Sequence, residues 1–440
     1  MRPSWAGFKR GIWLAGLVLA AAVVTAPAEQ MAPLPPAPPP EKVLTWEDCV
    51  ALAAQKNPSL VSAQYAVQAS HAAYLGSFNG LMPTVTLSDS YSSGGGGTAS
   101  GNGAPGYAAQ AAASVNLFNM SAIAGIKSAS ANDAQAQAAR RQASANLRYS
   151  LRAAFAQAYI ADKNVEVARK ILEIQQKNAE EVALKYQSGK EYKGNMLSAQ
   201  ALFLQARASL AQTLRSVRTT RRSLDQQLGL DEFSEIAATG TLTAQPPPEF
   251  PRRIEDALAV RPDVVLQEAV IKSAQAAVTT AQSPLWPNLN ASYARSRSGP
   301  YEFPNPIYGW SAGVTLSYPL FSGGPTAAYY ANKSAQDLFK KSEQDLRTVR
   351  DAAVVDLETS WAAYSNAHDQ LLYANANLEA TRQRNSEAEI RYGAGLLTYD
   401  NWEVIVAEWV SAEQQDKQAQ LTAVTAQALW EKSLGKALGE

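Results

Sequence analysis

Cysteine and histidine are scarce in this sequence, and neither positive nor negative charge is in surplus. The 440-residue chain has a single cysteine, so no disulfide can form within it. Its 39 basic and 39 acidic residues balance at neutral pH, which argues against nucleic acid as a partner because phosphate binding needs a basic surplus. Cys49 stands at the start of a predicted helix, and we interpret it as a small buried side chain.

Features that carry catalysis or metal binding are also missing. The two histidines, His71 and His368, lie far apart, and no two His or Cys residues stand at metal-ligand spacing. The consecutive glycines at 94–97 lack the lysine and the strand-to-helix context of a phosphate-binding loop, so we interpret them as a loop tip. The sequence therefore predicts a protein that is not an enzyme and that holds no cofactor and no metal.

One long apolar run is present, and it lies near the N terminus. Three basic residues precede an apolar stretch at 11–24, and Ala26-Pro27-Ala28 has the small residues of a cleavage site. This pattern predicts a secretory signal peptide at 1–28. Later apolar runs all fall short of the roughly 18 residues that a membrane-spanning helix needs, so a membrane-spanning part of the mature chain would have to be a closed barrel.

An internal repeat organises the rest of the chain. Seven pairs of segments recur in the same order at an offset of 203 to 208 residues, which predicts two copies of one structural unit. Clear examples are Ala51-Leu52-Ala53 with Ala257-Leu258-Ala259, Leu81-Met82-Pro83 with Leu285-Trp286-Pro287, Lys185-Tyr186 with Arg391-Tyr392, and Leu228-Gly229 with Leu434-Gly435.

Each copy predicts the same series of elements. A helix comes first, at about 46–78 and 254–282, and Thr45 with Asp48 predicts a capping box on the first of them. Two alternating, strand-like stretches follow in each copy, at about 83–93 and 107–118, then 287–298 and 308–321. A long helix without proline comes next, and a glycine-containing turn leads to a returning helix. These helices are predicted at 121–186, 195–228, 326–392 and 399–434.

The predicted domain boundaries follow from this order. We predict a Pro-rich linker at 29–44, a first repeat at 45–230, a second linker at 231–252 and a second repeat at 253–438. A helix of about 65 residues would be roughly 100 Å long. A compact globular core does not need such a helix, so the sequence predicts an extended helical assembly.

The duplicated helix–strand–strand–helix unit, with its signal peptide and long helices, resembles the outer-membrane efflux proteins of the TolC family. The resemblance is carried by Leu81-Met82-Pro83 and its repeat, by Tyr318-Pro319-Leu320-Phe321-Ser322-Gly323-Gly324, and by the helix-tip segments Lys185-Tyr186-Gln187-Ser188-Gly189 and Arg391-Tyr392-Gly393-Ala394-Gly395-Leu396.

The resemblance implies a mixed α and transmembrane β fold. Four strands per subunit would contribute to a twelve-stranded trimeric barrel in outer-membrane lipid, above a long α-helical periplasmic tunnel. It also implies a passive exit duct of a tripartite efflux or export system, with a periplasmic adaptor (membrane fusion protein) and an inner-membrane pump as partners. The alternative is a periplasmic adaptor or structural coiled-coil protein, although such adaptors have one helical hairpin and this sequence predicts two.

Three groups of candidate site residues follow from the resemblance. The helix–helix turns would contact the adaptor, or would be ordinary turns without a partner. The gate would lie near the second turn, although the usual acidic positions of the family hold Asn401 and Val404 here. The alternative there is a solvated helix start with Asp400 as N-cap. The candidate adaptor contacts are Ser188, Gly189, Lys190, Ala394, Gly395 and Leu396, and the candidate gate residues are Tyr392, Asp400 and Glu403.

Aromatic side chains at the predicted strand ends form the third group. They are typical of a membrane–water interface, and the alternative is core packing where strand meets helix. The residues are Phe118, Trp286, Trp310, Tyr318 and Phe321. The two turns also differ, because the first is charged and the second largely apolar. We therefore expect the first to lie outside, toward an adaptor, and the second inside, at the aperture.

Overall fold

The computed structural model describes residues 42–92, 106–230, 235–299, 307–318 and 324–439, all within one unit, Ala37–Glu440. The predicted signal peptide and Phe321 lie outside the described residues. The first copy contains β1 (Lys42–Leu44), α1 (Trp46–Lys56), α2 (Pro58–Ser77), β2 (Thr84–Ser92), β3 (Gly106–Phe118), α3 (Met120–Gln187) and α4 (Lys193–Leu228). The second contains β4 (Ile236–Ala238), α5 (Ile254–Val260), α6 (Pro262–Gln282), β5 (Asn288–Gly299), β6 (Ile307–Ser317), α7 (Pro325–Gly393) and α8 (Tyr399–Ser433).

The first helix of each copy is two helices, so the prediction of continuous helices at 46–78 and 254–282 is wrong. The breaks fall at Pro58 and Pro262, the first residues of α2 and α6. Proline lacks the backbone donor that continues a helix, and it forces the preceding residue out of the helical region. Asn57 and Arg261 accordingly have ψ of 119° and 131°. Each copy also ends this helical part in a short 3-10 turn, Phe78–Leu81 and Ser283–Leu285.

Local caps explain where α1 and α2 begin. The predicted capping box at Thr45 and Asp48 is confirmed, with both reciprocal hydrogen bonds present. At the break, the Asn57 side chain accepts hydrogen bonds from the backbone of Ser59 and Leu60 and donates to the carbonyl oxygen of Gln227 at 2.8 Å. The cap of α2 therefore also joins it to the end of α4.

The four longer strands form one antiparallel sheet in the order β2-β3-β5-β6. Hairpins join β2 to β3 and β5 to β6, while the β3–β5 pairing joins the two copies, with Tyr107 opposite Gly299 and Val115 opposite Ala291. The hairpin ends of all four strands consequently lie together. Residues 93 and 319–321, which the sequence also predicts as strand, lie outside the described residues.

A second, two-stranded sheet lies within segments that the sequence predicts as linkers. Strands β1 and β4 pair in parallel, with Lys42 opposite Ile236 and Leu44 opposite Ala238. Ile236 is fully buried in a cluster with Cys49, Leu151 and Leu228, so the predicted burial of Cys49 is confirmed. Three-residue strands are too short for a periodic pattern, which explains why the sequence does not reveal them.

Long helical hairpins make up most of the chain. Helices α3 and α7 have 68 and 69 residues, which is about 100 Å each. Helix α3 packs along α4 and α7 along α8, and α3 also contacts α6 and α8. Alanines are frequent among the buried residues of α3, and their small size lets the backbones approach closely. Over the described ranges, no helix combines the length and the apolar character that a membrane span requires.

Repeated glycines close the helical part of each copy. Gly229 follows α4 with φ 72°, and a Cβ there would lie 2.4 Å from the carbonyl oxygen of Lys56. Its counterpart Gly435 has φ 77°, and a Cβ there would lie 3.0 Å from Cδ of Pro262. The repeated Leu-Gly pair therefore marks the place where the end of one helix touches the break in another.

We expect Gly229→Ala to lower the free energy of unfolding by about 2–5 kcal/mol. A positive φ costs a side chain about 1–2 kcal/mol, and the clash with rigid backbone adds about 1–3 kcal/mol. Gly189→Ala is the matched control, because Gly189 has φ 71° with open space around it. Urea unfolding of the purified variants would measure the difference, and equal losses would contradict the close approach.

Candidate functional site

The register of the four-stranded sheet separates its side chains into two faces of opposite character. One face is rich in hydroxyl and amide groups, including Thr84, Ser88, Ser292 and Ser311. The other is mostly apolar, and its exposed side chains include Val85, Leu87, Tyr293, Trp310, Val314 and Leu316. Leu87 is 83% exposed and Val314 is 68% exposed. A sheet that lies between lipid and water has this pattern.

Both outer strands of this sheet have one unpaired edge. Among the described strands, β2 pairs only with β3, and β6 pairs only with β5. Each free edge presents a row of backbone donors and acceptors that favours pairing with another strand. In lipid such edges must be satisfied, because the hydrocarbon offers no hydrogen-bonding partners.

The predicted interface aromatics lie in two different places. Phe118 and Trp286 are 6.4 Å apart between ring centroids at the helical end of the sheet, where the Tyr318 hydroxyl donates to the carbonyl oxygen of Leu285 at 2.9 Å. Trp310 is 74% exposed and lies nearer the hairpin end. The structure thus brings Phe118, Trp286 and Tyr318 together and separates Trp310 from them.

Sequence reasoning missed a second aromatic group, at the hairpin end. Tyr91 and Tyr107 are directly opposite each other, with ring centroids 4.8 Å apart. Tyr308 lies on the same face of β6 and is 65% exposed. The hairpin register could have revealed Tyr91 and Tyr107, but Tyr308 joins them only through the β3–β5 pairing.

The two helix–helix turns have the same backbone geometry. Gly189 and Gly395 have φ of 71° and 75°, which glycine adopts without strain. The backbone of Lys190 donates to Lys185, and that of Leu396 donates to Arg391, at 2.9 Å in both turns. All six candidate contact residues are exposed, and Leu396 is 79% exposed. The turns are therefore accessible to a partner protein.

Tyr392 lies in a buried aromatic contact within the second hairpin, between α7 and α8. Its ring is 3% exposed and stacks on Trp402, with centroids 4.3 Å apart and planes 4° from parallel. The Lys185 ammonium lies 3.5 Å from the centroid of the Tyr392 ring and donates to its carbonyl oxygen at 3.3 Å. Burial, with the nearby carboxylates of Glu191 and Glu181, raises the pKa of Tyr392, so its phenol is neutral at physiological pH.

The contact of Lys185 with Tyr392 joins the ends of α3 and α7, and thus one copy to the other. A cation over an aromatic face contributes about 0.5–2 kcal/mol, depending on its exposure. Sequence reasoning identified Tyr392 but missed Lys185 and Trp402. Lys185 stands in a segment that recurs in the second copy, and this repetition could have marked it as a candidate. Its contact with Tyr392 across the two hairpins is not visible in the sequence.

Asp400 and Glu403 are accessible to solvent, whereas Tyr392 is buried. Asp400 is exposed in the first turn of α8, and Glu403 is half-buried one turn further along. The N-cap of α8 is Thr398 rather than Asp400, so the N-cap part of the alternative is wrong, although Asp400 does lie exposed at the helix start. Asn401 and Val404 are also exposed. A group of at least three His, Cys, Asp or Glu residues that could hold a metal is not found among the described residues.

Comparison with known proteins establishes the family. Residues 49–230 and 253–439 match the model of the outer membrane efflux protein family. The chain therefore belongs to this family, which confirms the resemblance seen in the sequence. The family and the fold are those of channel proteins rather than enzymes.

Two curated relatives come from Pseudomonas aeruginosa. The pyoverdine export outer membrane protein OpmQ is 29% identical over 163 residues, which is 34% of this chain and 34% of the relative. The alkaline protease secretion protein AprF is 26% identical over 257 residues, 56% of this chain and 53% of the relative. The matched part thus spans between a third and about half of these relatives.

Solved structures share the fold over nearly the full chain. The outer membrane channel CmeC of Campylobacter jejuni superposes with a TM-score of 0.78 at 14% identity, covering 90% of this chain and 86% of CmeC. The outer membrane protein VceC of Vibrio cholerae gives a TM-score of 0.75 at 18% identity, covering 89% of this chain and 96% of VceC. The helices and the antiparallel sheet are therefore those of TolC-like channels.

Proposed function

We propose that this protein is the outer-membrane exit duct of a tripartite efflux or export system. The observation that carries the proposal is the amphipathic sheet with two unpaired edges, joined in one unit to helical hairpins about 100 Å long. The sheet suits a lipid environment, and the hairpins are long enough to form a tunnel below it. Such a duct is passive, because it supplies a path and no chemistry.

The unpaired edges support an assembly of several copies, and the family resemblance implies three. Three copies would place the β6 edge of one beside the β2 edge of the next and so close a barrel of twelve strands. Closure removes every free edge, which is the requirement for strands in lipid. The apolar face would contact lipid and the hydroxyl-rich face would line the pore. The helices of the three copies would form the periplasmic tunnel.

The route to the outer membrane requires secretion. The proposed signal peptide at 1–28 would direct the chain across the inner membrane and then be removed. The mature chain would carry the two repeats at 45–230 and 253–438, and the family matches at 49–230 and 253–439 support these bounds.

The partners of the duct would be a periplasmic adaptor and an inner-membrane pump. The exposed turns around Gly189 and Gly395 are the proposed adaptor contacts. The charged first turn would lie outside and the apolar second turn inside, near the aperture. The names of the relatives refer to pyoverdine export and to alkaline protease secretion, so the family resemblance leaves the cargo of this chain open.

Two measurements test the duct. When cells are fractionated, the protein should be recovered from the outer membrane as a trimer. The purified protein should conduct ions when added to a planar lipid bilayer. A soluble periplasmic monomer without conductance would instead support the alternative of an adaptor or structural coiled-coil protein.

The gate proposal makes a prediction about ion selectivity. In a trimer, Asp400 and Glu403 would form a ring of six carboxylates near the aperture, which favours cations. The double variant Asp400→Ala with Glu403→Ala should therefore lower the ratio of cation to anion permeability several-fold. Reversal potentials in a salt gradient would measure it.

A matched control removes two carboxylates elsewhere. Glu173 and Glu166 are exposed on α3, away from the turn, and their replacement by Ala should leave selectivity unchanged. Wild-type selectivity in the Asp400 and Glu403 variant would remove both residues from the gate.

A further inference from the structure

The charged residues of the four-stranded sheet are confined to one end of its apolar face. Along the described strands they are Asp89, Arg295 and Arg297. Register places Asp89, Ala109, Arg297 and Tyr308 in one row across the four strands. This row is near the hairpin end, opposite the helices. The charges therefore mark one boundary of the apolar face.

The next row completes the site. It contains Leu87, Ala111, Arg295 and Trp310. Because the residues of β3 in both rows are alanines, an open groove of about 530 Å³ remains between the larger side chains, and both arginines line it. The Arg297 guanidinium carbon lies 5.8 Å from the centroid of the Tyr308 ring.

The depth of Arg297 fits a membrane interface, and Arg295 lies one row deeper, from which its long side chain can reach toward the headgroups. Arg297 and Arg295 are two and four residues from the end of β5 at Gly299, or about 7 and 14 Å along an untilted strand. An arginine on a lipid-facing surface costs about 2–4 kcal/mol at the bilayer midplane and about 0–1 kcal/mol near the interface. Tyr107, Tyr308 and Trp310 surround them, as aromatics do at headgroup level.

We propose that Arg295 and Arg297 bind the phosphate group of a lipid headgroup in the outer leaflet. An arginine guanidinium can donate two parallel hydrogen bonds to one phosphate group. Among its described lining residues, the groove has two arginines and one carboxylate, that of Asp89. The acyl chains of such a lipid would lie along Val85 and Leu87. This continuity with the apolar face favours a lipid over free phosphate. The inference rests on the proposed function, because only a membrane-inserted sheet presents this face to lipid.

The test uses the full chain, purified as a trimer in detergent and titrated with lipid by native mass spectrometry. The probes are dioleoyl phosphatidic acid, which is anionic, and dioleoyl phosphatidylcholine, which is zwitterionic. The double variant Arg295→Gln with Arg297→Gln should bind phosphatidic acid roughly 25-fold more weakly, from about fivefold for each arginine at an anionic surface. Its weak binding of phosphatidylcholine should not change.

The matched control is Arg215→Gln with Arg218→Gln, which removes two exposed arginines from α4 and should bind phosphatidic acid like the wild type. A second variant, Asp89→Asn, removes the opposing carboxylate and should tighten binding several-fold. Wild-type affinity in the Arg295 and Arg297 variant, or looser binding in Asp89→Asn, would overturn the site. If millimolar inorganic phosphate displaced phosphatidic acid from the protein, the assignment of the site to a lipid would be overturned.

Conductance separates this inference from the proposed function. Wild-type and variant proteins should conduct equally in bilayers of phosphatidylcholine, because the arginines lie on the lipid side of the sheet. Equal conductance with no preference for phosphatidic acid would overturn the lipid site alone. A wild-type protein that does not conduct would overturn the proposed function and the site with it.

Discussion

Replacing Ala312 by arginine should sharply destabilise the membrane-inserted trimer, whereas replacing its neighbour Ser311 should have little effect. Ala312 lies midway along β6 on the apolar face, opposite Tyr293. Its replacement would place a guanidinium near the middle of the hydrocarbon, at a cost of about 2–4 kcal/mol in each subunit. Three subunits share the barrel, so the total cost to the trimer would be several-fold larger. The temperature at which the trimer dissociates and its abundance in the outer membrane would both fall.

Ser311→Arg is the control because it introduces the same side chain one residue away. Ser311 lies on the hydroxyl-rich face, opposite Ala294, where the proposed pore would hydrate the guanidinium. Successive residues of a strand point to opposite faces, so the two variants differ only in the face that receives the charge. If both variants assembled normally, the proposed orientation of the sheet would be wrong.

Replacing Lys185 by methionine should increase the channel's open population. The change keeps the length of the side chain but removes the charge over the Tyr392 ring and the hydrogen bond to its carbonyl oxygen. If this contact holds the hairpin ends together in the closed state, its loss of about 1–2 kcal/mol would raise the ratio of open to closed channels roughly five- to thirtyfold. Single-channel recordings in a planar bilayer would measure that ratio.

Two further variants make the result specific. Lys177→Met is the matched control, because Lys177 is exposed and pairs with Glu173 on the same helix. Tyr392→Phe should also behave like the wild type, since the phenol oxygen of Tyr392 is buried and makes no hydrogen bond to any described residue, while the ring keeps its contacts. An unchanged open population in Lys185→Met would exclude this contact as a lock of the gate.

The sequence was most informative where its signals were repeated or periodic. The offset between Leu228-Gly229 and Leu434-Gly435 revealed two copies, and the long proline-free stretches predicted α3 and α7 to within one or two residues. Prediction was wrong at Pro58 and Pro262, although proline is a known helix breaker. At each position the proline ring excludes the preceding residue from the helical region, so one helix ends and the next begins there.

Contacts between distant segments were beyond the sequence. The pairing of β1 with β4 joins residues about 190 positions apart, and such short strands leave no periodic signal. Lys185 and Tyr392 are likewise 207 positions apart along the chain. Local patterns report on neighbours along the chain, whereas these contacts depend on how the two copies fold against each other.

The sequence by itself determined the duplication, the order of helices and strands, and the alternation of side chains within each strand, because these depend on local periodicity and on repeated motifs. Only the tertiary structure decided that β3 pairs with β5 and so makes one sheet from two hairpins. That pairing brings Arg297 into one row with Asp89 and Tyr308. The physical reason is that strand register is set by long-range hydrogen bonds, and side chains on separate strands share a face only once that register exists.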